Sequence, residues 1–139
     1  MLQCTQILSF DSAHRIIGHR GKCKMLHGHR YTAELTFKTE TLDEMGMVID
    51  FGIIKEKLKV WLDENWDHNT ILSVKDKELG DKIESVTRQK VYYINANPTA
   101  EGMAYHLLHN ICPMIFQNVS KLNYLKHQTV MQRSKYETV

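Results

Sequence analysis

Apolar and polar side chains alternate at the start of the chain. Leu2, Cys4, Leu8 and Phe10 share even parity, with Gln3, Thr5, Ser9 and Asp11 between them. A period of two marks a strand with one half-buried face, and unbroken continuation sets His14 on the apolar side. The stretch 18–24 is basic and contains glycine, which predicts a loop. Alternation returns at His29: His29, Tyr31, Ala33, Leu35 and Phe37 take one face, and Arg30, Thr32, Glu34, Thr36 and Lys38 the other. After a polar, turn-like stretch from Thr39 to Gly46, Asp50 reads as an N-cap. Phe51, Ile54, Leu58, Trp61 and Leu62 then recur at helical spacing, an amphipathic helix of about four turns. Signals from Asn65 to Arg88 are mixed and predict mostly loop or short helix. Val91–Ile94 reads as a short strand. Asn97-Pro98 opens a second helix, along which Ala100, Met103, Ala104, Leu107, Leu108, Ile111, Met114 and Ile115 trace one face. A last, weakly alternating strand is expected between Leu122 and Glu137. The order β, β, α, short β, α, β implies an α+β chain with helices on one face of a mainly antiparallel sheet.

Length and composition narrow the class. The 139 residues make one domain, 1–139, at 42% apolar and 24% charged, a globular profile. Neither a span of 18 apolar residues nor a signal-peptide layout occurs, so no membrane segment is expected. A net charge of +2 gives no reason to expect nucleic acid as a partner. Three cysteines (Cys4, Cys23, Cys112) do not close a disulfide framework, and a reducing, cytoplasmic setting is the simplest expectation.

The chemistry sits in the histidines, eight in all, four of them between His14 and His29. On a strand, His27 and His29 point to the same side, and Gly28 leaves room on the other. His14 shares the apolar parity, so three imidazoles can converge. Such a set suits Zn²⁺ and leaves one position open, the pattern of a catalytic site. Two alternatives stay open from the residues alone. Cys23 can close the shell and make the metal a structural staple, and His19 can take the place of His14. Cys23 also lies among Arg20, Lys22 and Lys24. Nearby positive charge favours thiolate over thiol, and a thiolate can serve as general base or nucleophile. In Asp67-His68 a carboxylate can orient an imidazole and raise its basicity.

Together these residues resemble the 6-pyruvoyl-tetrahydropterin synthase / 6-carboxy-tetrahydropterin synthase family. The resemblance is carried by Phe10-Asp11-Ser12-Ala13-His14, Cys23-x-x-x-His27-Gly28-His29, Asp50-Phe51, Asp67-His68, Pro98-Thr99-Ala100-Glu101 and Glu137-Thr138, in the family's order over nearly the whole chain. It implies the tunnelling fold (T-fold), a four-stranded antiparallel sheet with two helices on one face, assembling as a trimer or a dimer of trimers with sites between subunits. It implies Zn²⁺ on His14, His27 and His29, and Cys23 as the proton-transfer residue with Asp67 and His68 as its relay. It further implies Glu137 as the pterin anchor and an additional member of the relay, with Glu101 and Thr99 as substrate-binding positions. Three residues between Cys23 and His27 look like the 6-carboxy branch of the queuosine (7-deazapurine) pathway. That branch converts 7,8-dihydroneopterin triphosphate to 6-carboxy-5,6,7,8-tetrahydropterin, releasing acetaldehyde and triphosphate. The rival readings are a pyruvoyl-forming or related pterin side-chain lyase and a non-enzymatic zinc-stabilised binding protein. The family's Asp-His-x-x-Leu-Asn appears here as Asp67-His68-Asn69-Thr70-Ile71-Leu72, which implies a shifted loop. Triphosphate needs positive charge, for which Arg15, Arg20, Lys22 and Lys24 are the candidates.

Overall fold

The computed structural model describes residues 1–117 with their side chains and residues 123–133 by their backbone. The two alternating segments form β1 (Leu2–His14) and β2 (His27–Thr39), a long antiparallel hairpin in register from Leu2↔Thr39 to His14↔His27. Strand β3 (Asn69–Ser73) pairs parallel with β1, β4 (Val91–Ile94) parallel with β3, and β5 (Asn123–Arg133) antiparallel with β2. The sheet order is β4-β3-β1-β2-β5.

Helix α1 (51–65) starts where Asp50 caps it, its Oδ1 accepting from Gly52 N–H at 2.7 Å. A π turn, Lys55–Lys59, separates its α-helical parts Phe51–Ile54 and Val60–Asn65. Helix α2 is Lys77–Thr87, and α3 (100–115) runs through Ala100–His106, a π turn Leu107–Ile111, and Cys112–Ile115. Pro113 has no N–H to give the ladder behind it, and the widened turn lies just before it.

Even positions of β1 and odd positions of β2 face the helices. Phe10, Tyr31, Leu35 and Phe37 pack with Ile54, Leu58 and Leu62 of α1 and with Met103, Leu107 and Ile111 of α3. Each such side chain contributes about 1.5–3 kcal/mol on burial, so this two-layer contact fixes the sheet against both long helices. Helix α2 covers the other face. Its Gly80 lies against Tyr93, whose Oη would be 1.9 Å from any Cβ placed there. Only glycine permits that approach.

The expected α+β class stands, but the sheet departs from four antiparallel strands with two helices on one face. It has five strands, β3 and β4 run parallel to β1, and a third helix packs on the opposite side. The reason lies in 69–87, expected to be mostly loop or short helix. Thr70, Ile71, Leu72 and Ser73 are all buried, so β3 shows no alternation for a period of two to reveal. Helix α2 buries little beyond Gly80, and its exposed face carries the i,i+4 pairs Lys77–Asp81 and Lys82–Glu78. The buried Asp76 carboxylate ahead of α2 is gripped by both arms of Arg15, which ties the end of β1 to the β3–α2 connection.

Candidate metal centre and adjoining cavity

The hairpin register brings the histidines together. His14 lies directly opposite His27, and His29 opposite Ser12. All three project toward the helix-bearing face, and one ring nitrogen from each lies within 4.8 Å of the others. His14 Nδ1 is 2.6 Å from the Pro98 carbonyl, and His27 Nδ1 is 2.6 Å from the Met25 carbonyl. A carbonyl only accepts, so both Nδ1 atoms carry the proton. Their Nε2 atoms then face each other as lone pairs at 3.1 Å. Two lone pairs so placed repel unless a cation lies between them, and backbone carbonyls behind the rings are the usual outer support of metal-binding imidazoles. The donor set therefore fits a borderline-soft divalent ion such as Zn²⁺. Neither Cys23 nor His19 belongs to the cluster found among the described residues, so the four-ligand staple and the His19 substitution have no geometric support there.

Three elements hold the centre. Thr99 caps α3, its Oγ1 accepting from Gly102 N–H at 3.0 Å, which sets the preceding Pro98 carbonyl against His14. Asn97 brackets Ile17 with two bonds of 3.0 Å, Oδ1 accepting from its N–H and Nδ2 donating to its carbonyl. Ile16 N–H donates to the Cys23 carbonyl at 2.9 Å, so the half-buried Cys23, in a short 3₁₀ turn (Lys22–Lys24), is held through this loop. Cys4, Cys23 and Cys112 are thiols, none in a disulfide.

Asp67 and His68 are in contact. His68 Nδ1 lies 3.0 Å from Asp67 Oδ2, while Asp67 Oδ1 accepts from Asp11 N–H at 2.9 Å. The carboxylate raises the pKa of His68 above its ordinary value, first through the hydrogen bond and then through its charge. His68 sits at φ 57°, in the left-handed region uncommon for a side chain of its size. Its N–H donates to the Asp11 carbonyl at 2.6 Å and its carbonyl accepts from Gln89 Nε2 at 3.0 Å, which hold that conformation. The imidazole opens on a cavity of about 470 Å³ lined by His29, Asp11, Arg30, Asn69, Thr70 and Gln89, among others. Asp11, Ala13, Gly28 and Arg30 form the hairpin's share of that wall, on the parity opposite to the three imidazoles.

The remaining sequence candidates fall elsewhere. Cys23, Thr99 and Glu101 are not among the described residues lining the cavity, and Glu101 is exposed on the first turn of α3. Glu137 lies outside the described residues. Arg15 is engaged by Asp76, and Arg20, Lys22 and Lys24 flank Cys23 along the loop sequence. Sequence reasoning missed Asn97 as a clamp, the Pro98 carbonyl, Gln89, and the Asp11–Arg30 pair. Only the last left a signal, opposite charges at positions that the hairpin register places face to face.

Comparison with known proteins agrees with these observations. Residues 3–133 match the profile of the 6-pyruvoyl tetrahydropterin synthase family. A 6-carboxy-5,6,7,8-tetrahydropterin synthase of Rickettsia bellii is 55% identical over 118 residues, covering 85% of this chain and 86% of that one. The synthase of the same name from Rickettsia felis is 53% identical over 116 residues, 84% of each chain. Among solved structures, 6-pyruvoyl tetrahydropterin synthase of Plasmodium vivax superposes with TM-score 0.62 at 20% identity, covering 96% of this chain and 99% of that one. The Caenorhabditis elegans enzyme of that name gives 0.59 at 19%, covering 96% of each. At such identity the structural likeness establishes a shared fold, and the tunnelling fold expected from the sequence is that fold.

Proposed function

Because the chain belongs to the 6-pyruvoyl tetrahydropterin synthase family, we propose that it is a zinc-dependent 6-carboxy-5,6,7,8-tetrahydropterin synthase of queuosine biosynthesis. The substrate is 7,8-dihydroneopterin triphosphate, and the products are 6-carboxytetrahydropterin, acetaldehyde and triphosphate. The observation that carries the reading is the trio of imidazoles within 4.8 Å, two of them turned nitrogen to nitrogen by backbone carbonyls, in a chain 55% identical over 118 residues to a protein of that name.

His14, His27 and His29 would hold the ion, which supplies Lewis-acid polarisation of substrate side-chain oxygens. His68, its Nδ1–H directed at Asp67, presents Nε2 to the cavity and carries a proton there. Its raised pKa favours the protonated form, from which it can donate a proton and recover it afterwards. Cys23 takes the complementary proton-abstracting role, with Arg20, Lys22 and Lys24 supplying positive charge toward the triphosphate. Glu137 anchors the pterin through its exocyclic amine and ring N–H, and Thr99 and Glu101 complete the binding set. We place these roles in a homo-oligomer, a trimer or dimer of trimers with residues 1–139 as the single domain of each subunit, so that Cys23 and His68 at one site can come from different chains. The exposed second face of the β1–β2 hairpin supports association. No helix among the described residues is long and apolar enough to cross a membrane, and the thiol state of the cysteines suits a cytoplasmic setting.

Mass spectrometry of products from zinc-loaded protein and 7,8-dihydroneopterin triphosphate tests the reading. It requires 6-carboxytetrahydropterin and acetaldehyde; a pyruvoyl product without acetaldehyde refutes the carboxy assignment.

A further inference from the structure

The Asp67–His68 pair is built onto Asp11 of β1. The Asp11 N–H donates to Asp67 Oδ1 at 2.9 Å, and the Asp11 carbonyl accepts from the His68 N–H at 2.6 Å. The carboxylate of the same residue is held in a two-pronged grip by Arg30, with Nε 3.0 Å from Oδ1 and Nη2 3.0 Å from Oδ2. Asp11 and Arg30 are direct cross-strand partners, and both line the cavity into which His68 opens.

We propose that Arg30 is a positioning residue for the Asp67–His68 pair, acting through Asp11: its guanidinium fixes and neutralises the Asp11 carboxylate, so that His68 answers to Asp67 alone. The inference rests on the reading of His68 as a proton carrier. An unneutralised carboxylate near an imidazole stabilises the imidazolium, and one free to turn competes with Asp67 for the ring N–H. Either effect holds the proton that His68 must release. A forked guanidinium removes both, because two parallel N–H···O bonds pin the carboxylate as well as cancel its charge.

Among the described residues, the charged groups that reach His68 are Asp67 on its own loop, Asp11 on β1 and Arg30 on β2. The cavity lining contributed by β3 and by the α2–β4 connection is uncharged, being Asn69, Thr70 and Gln89. Asp11 adds to the proton affinity of His68 and Arg30 subtracts from it, each after Asp67 in size. Arg30 also holds the Asp11 carboxyl below its ordinary pKa, chiefly through the hydrogen bonds.

The test is an NMR titration of the His68 imidazole in four metal-loaded proteins: the native chain, Arg30→Gln, Asp11→Asn and the double variant. Arg30→Gln should raise the His68 midpoint in the native background and by clearly less in the Asp11→Asn background, where only the direct effect of the Arg30 charge is lost. Equal shifts in both backgrounds, or none in either, overturn the proposal. Arg30→Lys, which keeps the charge and loses the fork, should raise the midpoint by less than Arg30→Gln. A Lys variant that shifts it as far as Gln does also counts against the idea. The titration does not depend on turnover. A protein that forms no carboxytetrahydropterin therefore refutes the proposed activity without deciding this coupling.

Discussion

At the scale of single residues, the proposed site separates into groups that would hold a metal and groups that would move protons. His27→Ala removes one of three donors, and elemental analysis should then find the purified protein without stoichiometric zinc. Cys23→Ala leaves the three imidazoles intact, so metal content should stay near one per chain while product formation falls by about 10²–10⁴-fold, the range for a lost acid–base group. If Cys23→Ala instead releases the metal, the cysteine is a structural ligand. For the relay, Asp67→Asn withdraws the carboxylate that raises the pKa of His68. The His68 midpoint should drop toward its ordinary value of 6.5 in an NMR titration. An unchanged midpoint would show that Asp67 does not govern it. These residues were legible because their chemistry survives in one dimension. His-Gly-His at alternate strand positions declares a shared side through its spacing alone. Asp67-His68 was weaker, since neighbours on a strand diverge; its contact depends on the left-handed turn at His68.

At the scale of elements, the decisive joint is between the β1–β2 loop and the start of α3. Asn97 satisfies both the N–H and the carbonyl of Ile17, and the next residue, Pro98, presents its carbonyl to His14. Asn97→Ala should destabilise the fold by about 0.5–1.5 kcal/mol, the net contribution of a hydrogen bond whose groups water can reach once it is lost, as read from a urea unfolding curve. It should also weaken zinc binding in a chelator competition, since outer support typically accounts for about 10–100-fold in affinity. A variant with native stability and native zinc affinity would show the clamp to be incidental. The long helices were readable because each buries one stripe against one layer. Residues 69–87 were not, since β3 is covered on both faces and α2 is mostly solvated. Both patterns lack the periodic contrast on which sequence reading depends.

At the scale of the whole molecule, a partly buried polar pair at the edge of the core has a protonation state that affects stability. His106 Nε2 shares a hydrogen bond of 2.8 Å with the Tyr92 hydroxyl beside Trp66, and burial holds the pKa of His106 below the ordinary 6.5. The unfolded chain therefore binds a proton at this residue before the folded one does. Stability through His106 is present above about 6.5 and declines as pH falls through that value, levelling off only below the depressed pKa. Between about pH 7.5 and 5.5 the native Tm should fall further than that of His106→Gln, and equal falls would remove His106 from the account. The sequence by itself determined the α+β class, the hairpin with its three same-side histidines, and both capped long helices. Alternation, helical spacing and caps are local properties of a chain. Tertiary structure alone decided that β3 and β4 extend the sheet in parallel and that Pro98 and Asn97 brace the metal centre. It also decided that Asp11 and Arg30 meet the Asp67–His68 pair. Each of these joins residues far apart in sequence, and such pairings are set by how faces bury against one another, which no local pattern encodes.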